Sequence, residues 1–264
     1  MILAGIETLL CMLVIYVIYF IYSKVNPQLH DLPVSIALNT ANSVKHREKH
    51  YTIDNSLPVS TLQYLETLSK DHTKGTTDLS GFPGKKINFK LTQQQEKQFL
   101  QQLISMDPIF KNYTIYKLSL GMRDRSFVVQ HDMDLNKRIH TDFSNDVLGV
   151  MTYINTVGGG TNTFTESNGE YKIVQRFHNK KNRTIVFPVN ELHAGMYDLN
   201  KWPESVPYRL TLNMFLIKKH KTIIDRVVWT MQECQLNLVR LVFSVVTLPT
   251  RFDSSNALFF LFNN

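Results

Sequence analysis

The sequence predicts a mainly β fold with flanking helices, a sandwich or jelly roll behind an N-terminal membrane helix, and three observations carry that expectation. Residues 1–22 are almost wholly apolar. The middle of the chain breaks into short strand-like runs separated by Gly, Asn and Asp, and strong helix formers gather ahead of those runs rather than between them. With 264 residues, 43% hydrophobic and 11% aromatic, the chain is long enough for one sizeable domain with extensions and short for two. It carries no internal repeat and no low-complexity tract.

The first element is the run Met1–Tyr22, in which Glu7 is the only charge. At roughly 1.5 Å per helical residue it is long enough to cross a hydrocarbon layer of about 30 Å. A cleaved signal would need a basic start and a small-x-small cleavage site. Tyr22-Ser23-Lys24-Val25-Asn26-Pro27 offers no such site, so residues 1–23 are expected to be a retained transmembrane anchor. Lys24 follows the span and no Lys or Arg precedes it, which favours the cytosolic side for the rest of the chain. The acceptor patterns at Asn112 and Asn182 are of a kind that an Asn-rich chain produces by chance, and they do not fix a lumenal side.

Residues 24–82 are polar, interrupted by Pro27, Pro33 and Pro58, with a helical stretch near Ser60–Leu68. They read as a stalk leading into supporting helices. The core domain is expected over residues 83–221. Thr92–Leu103 has strong helix formers and one apolar side, the signature of a helix that buttresses a sheet. Strands are expected at Tyr113–Leu118, Ser126–Val129, Val147–Ile154, Thr161–Phe164, Tyr171–Phe177, Arg183–Phe187 and Arg209–Ile217. Short strands at this spacing argue for a sandwich or jelly roll rather than a parallel βαβ sheet. Residues 222–264 form an amphipathic C-terminal extension; its run Leu236–Leu248 contains Arg240 and is too short for a second span.

The formal charge of +7 would suit an acidic partner, but the basic residues are dispersed and no arginine-rich tract interleaves with aromatics, so nucleic acid is not an expected partner. The two cysteines are Cys11, inside the apolar run, and Cys234. They make neither a disulfide framework nor a zinc site, which leans toward a reducing compartment.

The chemistry concentrates between Arg138 and Leu216. In Arg138-Ile139-His140-Thr141-Asp142 two ligand types stand two apart; on an extended strand they share a face and can converge on one metal. His193 comes just past the apolar run Arg183–Phe187. Two imidazoles and one carboxylate are the ligand set of a non-haem iron(II) centre with open positions. Arg209 opens an alternating strand with Thr211 on the same face, a guanidinium and a hydroxyl suited to clamping a carboxylate. Single histidines such as His131, His178 and His220 read as surface or hydrogen-bonded groups, Asp132 and Asp134 as loop carboxylates. Gly158–Gly160 reads as a turn between strands, because no Lys-Ser/Thr or helix start comes after it.

Taken in order, His140-Thr141-Asp142, Thr152-Tyr153-Ile154-Asn155, Gly158-Gly159-Gly160-Thr161-Asn162-Thr163-Phe164, His193-Ala194-Gly195 and Arg209 resemble the 2-oxoglutarate/iron(II)-dependent dioxygenases, in particular the prolyl and lysyl hydroxylase branch. The resemblance covers roughly Phe127–Ile217. It implies a double-stranded β-helix core, a metal held by His140, Asp142 and His193, and 2-oxoglutarate paired through its far carboxylate with Arg209 and supported by Tyr153 and Thr211. It further implies Fe(II), 2-oxoglutarate and O2 as cofactor and co-substrates, ascorbate as an accessory reductant, and a protein or peptide substrate hydroxylated at a prolyl or lysyl side chain. The nucleic-acid demethylases resemble the chain less, because the further arginine expected beyond Arg209 is replaced by Asn213, Met214 and Phe215. The competing readings are a dioxygenase acting on a small molecule or nucleic acid, and a membrane-anchored jelly-roll interaction or envelope protein without catalysis.

Overall fold

The computed structural model describes residues 29–71, 76–77, 84–131, 134–142 and 147–219. In chain order its strands are β1 (Leu29–Asp31), β2 (Ser43–Arg47), β3 (His50–Asp54), β4 (Thr76–Thr77), β5 (Gly84–Lys90), β6 (Tyr113–Asp124), β7 (Val147–Tyr153), β8 (Gly160–Ser167), β9 (Glu170–His178), β10 (Arg183–Pro188), β11 (Leu192–Met196) and β12 (Tyr208–Lys218). Its helices are α1 (Val59–Leu68), α2 (Gln93–Met106), α3 (Arg125–His131) and α4 (Leu135–Arg138). They build two layers. The larger sheet runs β1-β5-β6-β12-β7-β10-β3-β2 with β4 beside β5, and the smaller runs β11-β8-β9.

Strands β7, β10 and β12 lie at the centre of the larger sheet with both faces covered, which is why β7 and β10 read as nearly continuous apolar runs. On one face Leu148, Val150, Val186, Leu210, Leu212, Met214 and Leu216 share a core with Leu62 and Leu65 of α1 and Phe99 and Leu103 of α2. On the other face Val147, Tyr153, Ile185 and Phe187 meet Phe177 of β9, so this second core joins the two sheets. The strict alternation of Leu210, Leu212, Met214 and Leu216 with Arg209, Thr211 and Asn213 therefore turns the polar set toward the space between the sheets.

Helix α2 starts where Thr92 accepts the Gln95 N–H and Gln95 returns the bond to Thr92, a complete capping box. The Gln95 side chain also donates to the carbonyls of Leu32 and Val34, at 2.9 and 3.0 Å, tying down the segment after β1. Beneath β7 and β10 a buried hydroxyl chain links Thr152, Thr184 and Ser56, each step 2.6 Å. Asn182 closes it, accepting the Leu57 N–H and donating to the Leu57 carbonyl. With its amide buried and spoken for on both sides, Asn182 is not a glycosylation acceptor in the folded chain.

The structure corrects several local expectations. Ser126–Val129, read as a strand, lies in α3. The Asp124 carboxylate accepts the Phe127 N–H at 3.0 Å and turns the chain into a helix, and of Phe127, Val128 and Val129 only Val128 is buried. His193 does not merely trail an apolar strand but sits on β11, in the other sheet from β10. The His140–Asp142 segment is not itself a strand; it is held extended by one bridge between His140 and His193. The stretch 29–71, expected as stalk and supporting helices, supplies α1 and also β1, β2 and β3, with β3 paired to β10. No helix among the described residues is long and apolar enough to cross a membrane. The expected anchor at 1–23 and the extension at 222–264 lie outside the described residues.

Candidate metal centre

Three chain segments meet at the site: residues 140–142, β11, and Val189 just past β10. The bridge between the 140 segment and β11 consists of His140 N–H to His193 carbonyl at 3.0 Å and the reverse bond at 2.9 Å; Asp142 N–H adds a bond to the Val189 carbonyl at 2.9 Å. This ladder brings the side chains of His140, Asp142 and His193 together, with one ligand atom from each inside a 4.8 Å span. His140 Nε2 stands 3.4 Å from Asp142 Oδ1, and His193 Nε2 stands 3.4 Å from Asp142 Oδ2.

The far side of each ring explains why both Nε2 atoms face inward. His140 Nδ1 lies 2.6 Å from the Arg138 carbonyl and His193 Nδ1 lies 2.8 Å from the Glu191 carbonyl. A carbonyl only accepts, so Nδ1 carries a proton in both rings, and each Nε2 is left as the atom that would offer a lone pair to a shared cation on giving up any proton of its own. Phe187 packs edge-on against His193 with ring centroids 5.1 Å apart. Burial penalises charge on the Asp142 carboxyl, yet in the metal-free protein His140 and His193, each able to carry a second proton on Nε2 toward it, outweigh that penalty and hold Asp142 well below the usual carboxylate range. Asp142 is thus ionised, and the donor set would fit a divalent iron that needs open coordination positions.

Glu191 is itself held from the N-terminal hairpin. Arg47 donates to its carboxylate and His50 Nε2 lies 3.1 Å from the same oxygen. The orientation of His193 therefore depends on β2 and β3 through the backbone of Glu191.

Arg209 is 4% exposed. Its Nη1 donates to the Met196 carbonyl at 3.1 Å and its Nη2 to the Gly160 carbonyl at 2.8 Å. Among the described residues it pairs with no carboxylate, so a full charge is buried against neutral acceptors alone. That arrangement is costly unless an anion joins it. Asn155 brackets the site, donating to the Tyr208 carbonyl and accepting the Leu210 N–H, each at 2.9 Å, and so fixes the backbone on both sides of Arg209. The Gly158–Gly160 turn lets Arg209 approach. A Cβ on Gly160 would fall 1.9 Å from the Phe177 carbonyl, and one on Gly159 2.0 Å from the Met196 carbonyl.

Of the two residues expected to assist Arg209, Tyr153 lies with its ring centroid 5.3 Å from the guanidinium and donates its hydroxyl to Thr161 Oγ1 at 3.0 Å. Burial pushes the Tyr153 phenol up, with Arg209 opposing, so it stays a neutral donor. Thr211 stands opposite Tyr153 across β12 and β7, but its hydroxyl accepts from Asn213 at 3.1 Å rather than from Arg209. Sequence reasoning missed Thr163, directly across from His193 on β8, whose buried hydroxyl has no partner. It also missed Arg123, Arg138 and Tyr197. The available signals were position alone: Arg138 and Tyr197 flank the ligand motifs.

No family model matches the chain, and no curated protein matches it. Solved structures do. AviO1 from Streptomyces viridochromogenes Tue57 matches at 10% identity over 64% of this chain and 90% of its own, with a TM-score of 0.42. A Pseudomonas putida prolyl-4-hydroxylase matches at 14% identity over 65% of this chain and 94% of its own, with a TM-score of 0.40. The non-heme alpha ketoglutarate dependent epimerase SnoN from nogalamycin biosynthesis matches at 11% identity over 69% of this chain and 82% of its own, with a TM-score of 0.39. All three likenesses are distant.

Proposed function

We propose that the chain is an iron(II)- and 2-oxoglutarate-dependent dioxygenase, held at a membrane by its N-terminal apolar run, that hydroxylates a prolyl or lysyl side chain of a protein. The observation that carries the reading is the pair of imidazoles locked through Nδ1 with both Nε2 atoms turned to one ionised carboxylate, beside a buried arginine that pairs with no acid among the described residues. His140, Asp142 and His193 would hold the iron, and Arg209 the far carboxylate of 2-oxoglutarate. When bound, these groups supply the oxidation: one oxygen atom of O2 enters a substrate C–H bond as hydroxyl, the other enters succinate, and CO2 leaves.

The chain's own residues do the rest. The Nδ1–carbonyl bonds fix both rings before metal arrives, so little orientational freedom is lost on loading. Tyr153 and Thr161 line the approach to Arg209 as neutral hydrogen-bonding groups, and Phe187 and Phe177 keep water from the inner side. The prolyl or lysyl target is supported by the Thr152–Asn155, Gly158–Phe164 and His193–Gly195 segments taken together, and the membrane placement by residues 1–22.

The test is metal content and turnover of the full chain supplied with Fe(II), ascorbate, 2-oxoglutarate and prolyl or lysyl peptides. We expect one iron per chain, its loss in His140→Ala and His193→Ala, and peptide-stimulated succinate release. Equal iron retention in the wild type and both variants would sink the reading.

A further inference from the structure

The inner face of the smaller sheet carries a polar atom that neither the metal trio nor Arg209 accounts for. Strands β8 and β11 pair so that Thr161 stands opposite Gly195 and Thr163 stands opposite His193. Residues directly opposite in an antiparallel pair share a face, and so do residues two apart on one strand. Thr161 and Thr163 therefore look the same way as the His193 imidazole, toward the larger sheet. The contacts agree: Thr161 Oγ1 accepts the Tyr153 hydroxyl of β7, and Phe177, opposite Thr161 on β9, belongs to the core that joins the two sheets.

These two rungs mark the two ends of the site. At the Thr161–Gly195 rung, a Cβ on Gly195 would lie 3.6 Å from Arg209 Nη1. At the Thr163–His193 rung, His193 Nε2 faces Asp142 at 3.4 Å. Two residues along a strand advance about 7 Å, so a short dicarboxylic acid gripped at one end by Arg209 and lying along β8 brings its other end beside Thr163. Thr163 is fully buried, and its hydroxyl has no hydrogen-bond partner among the described residues. Its polar neighbours in the register are committed elsewhere. Thr161 takes the Tyr153 hydroxyl, His193 gives Nδ1 to the Glu191 carbonyl, and Gln175, opposite Thr163 on β9, donates to the Arg176 carbonyl. The β8–β9 register shifts immediately after Thr163, the kind of irregularity that re-aims side chains beside active sites. A buried hydroxyl without an acceptor is destabilising, and a valine of the same shape would carry no such cost.

We infer that Thr163 is a binding residue for the co-substrate, its hydroxyl donating to an oxygen of the keto-acid end of 2-oxoglutarate while Arg209 holds the far carboxylate. This rests on the dioxygenase reading. The donor is already desolvated and held by a paired strand, so little freedom is lost when the bond forms.

The experiment loads the full chain with Mn(II), which accepts the same donor set, and titrates 2-oxoglutarate by calorimetry. Mn(II) affinity and the melting temperature of the unloaded protein are measured alongside. We expect Thr163→Val to weaken 2-oxoglutarate binding by about tenfold, the worth of one hydrogen bond to a charged group. It should leave Mn(II) affinity unchanged and melt no lower than the wild type. Thr163→Ser, which keeps the hydroxyl, should retain most of the 2-oxoglutarate affinity. If the wild type binds 2-oxoglutarate and Thr163→Val binds it equally well, the assignment of Thr163 fails and the dioxygenase reading stands. A valine variant that melts lower or loses Mn(II) makes Thr163 a support for His193 and also overturns the assignment, as does a serine variant as weak as the valine one. A wild type that binds no Mn(II), or Mn(II) but no 2-oxoglutarate, overturns the dioxygenase reading and this assignment with it.

Discussion

Arg209 sits between two opposing costs. Its charge is buried with no carboxylate partner among the described residues, and its donors bond two carbonyls that lose those bonds when it is removed. Arg209→Met removes the first cost and creates the second, so stability is expected to change by no more than about 1 kcal/mol. Affinity for 2-oxoglutarate, which loses a charge-assisted pairing, is expected to fall by about 100-fold. Thermal melts and calorimetry on one protein separate the two quantities, and a large fall in melting temperature with affinity unchanged would make Arg209 a structural residue. At this scale much was legible. His140 and Asp142 announce themselves by their spacing, and Arg209 by opening an alternating strand. Arg138 and Tyr197 do not, because what distinguishes them is a bond across to the Gly195 carbonyl and a ring shared by three guanidinium groups, which exist only once distant segments meet.

Two elements fix the alignment of that site. Gly160 accepts Arg209 through its carbonyl and lies so close to β9 that an added Cβ would meet the Phe177 carbonyl at 1.9 Å. Gly160→Ala must push β8 and β9 apart, and we expect a loss of several kcal/mol in urea unfolding, about 3 kcal/mol or more, together with weakened 2-oxoglutarate binding. Helix α2 acts from the opposite face. Leu103 is fully buried under the larger sheet, and Leu103→Ala should cost about 3 kcal/mol with metal affinity intact, because the metal ligands lie across the sheet from it. Strands β7 and β10 could be read from sequence since burial on both faces makes them largely apolar, and β12 because its apolar residues alternate with polar ones. The segment Ser126–Val129 has the same apolar look, but the Asp124 side chain begins a helix there. β5 is not legible in the same way although Ile87 and Phe89 alternate with Lys86 and Asn88, because two apolar residues in a basic run make a weak pattern.

Across the molecule, the N-terminal strands and the sheet they join are pinned by charge. Asp54 on β3 takes a two-point contact from Arg183 on β10, at 2.7 and 3.0 Å, with Lys180 at 2.9 Å. The Arg183 hydrogen bonds, helped by Lys180, hold the Asp54 carboxyl at about 2, down from 3.8. A lowered folded-state value contributes stability that is complete above pH 3.8 and is lost as the pH falls through about 2. Arg183→Met should therefore cost about 1 kcal/mol at neutral pH, allowing for solvent screening, and shift the acid-unfolding midpoint upward. An acid transition unmoved by the substitution would remove this pair from the account. The role of residues 43–54 was not legible in advance. Their short polar strands resemble a tether, and only pairing with β10 gives them a place. That pairing bears on where the polypeptide can be shortened. Cut at residue 83, it would leave β10 with a bare edge open to other molecules and the Glu191 carboxylate without Arg47 and His50. The ring of His193 would then lean on a loosened support. Such a truncated protein is expected to precipitate and to capture iron poorly, whereas one beginning at residue 29 should do neither; the practical start of the working unit then lies well upstream of the three candidate metal ligands.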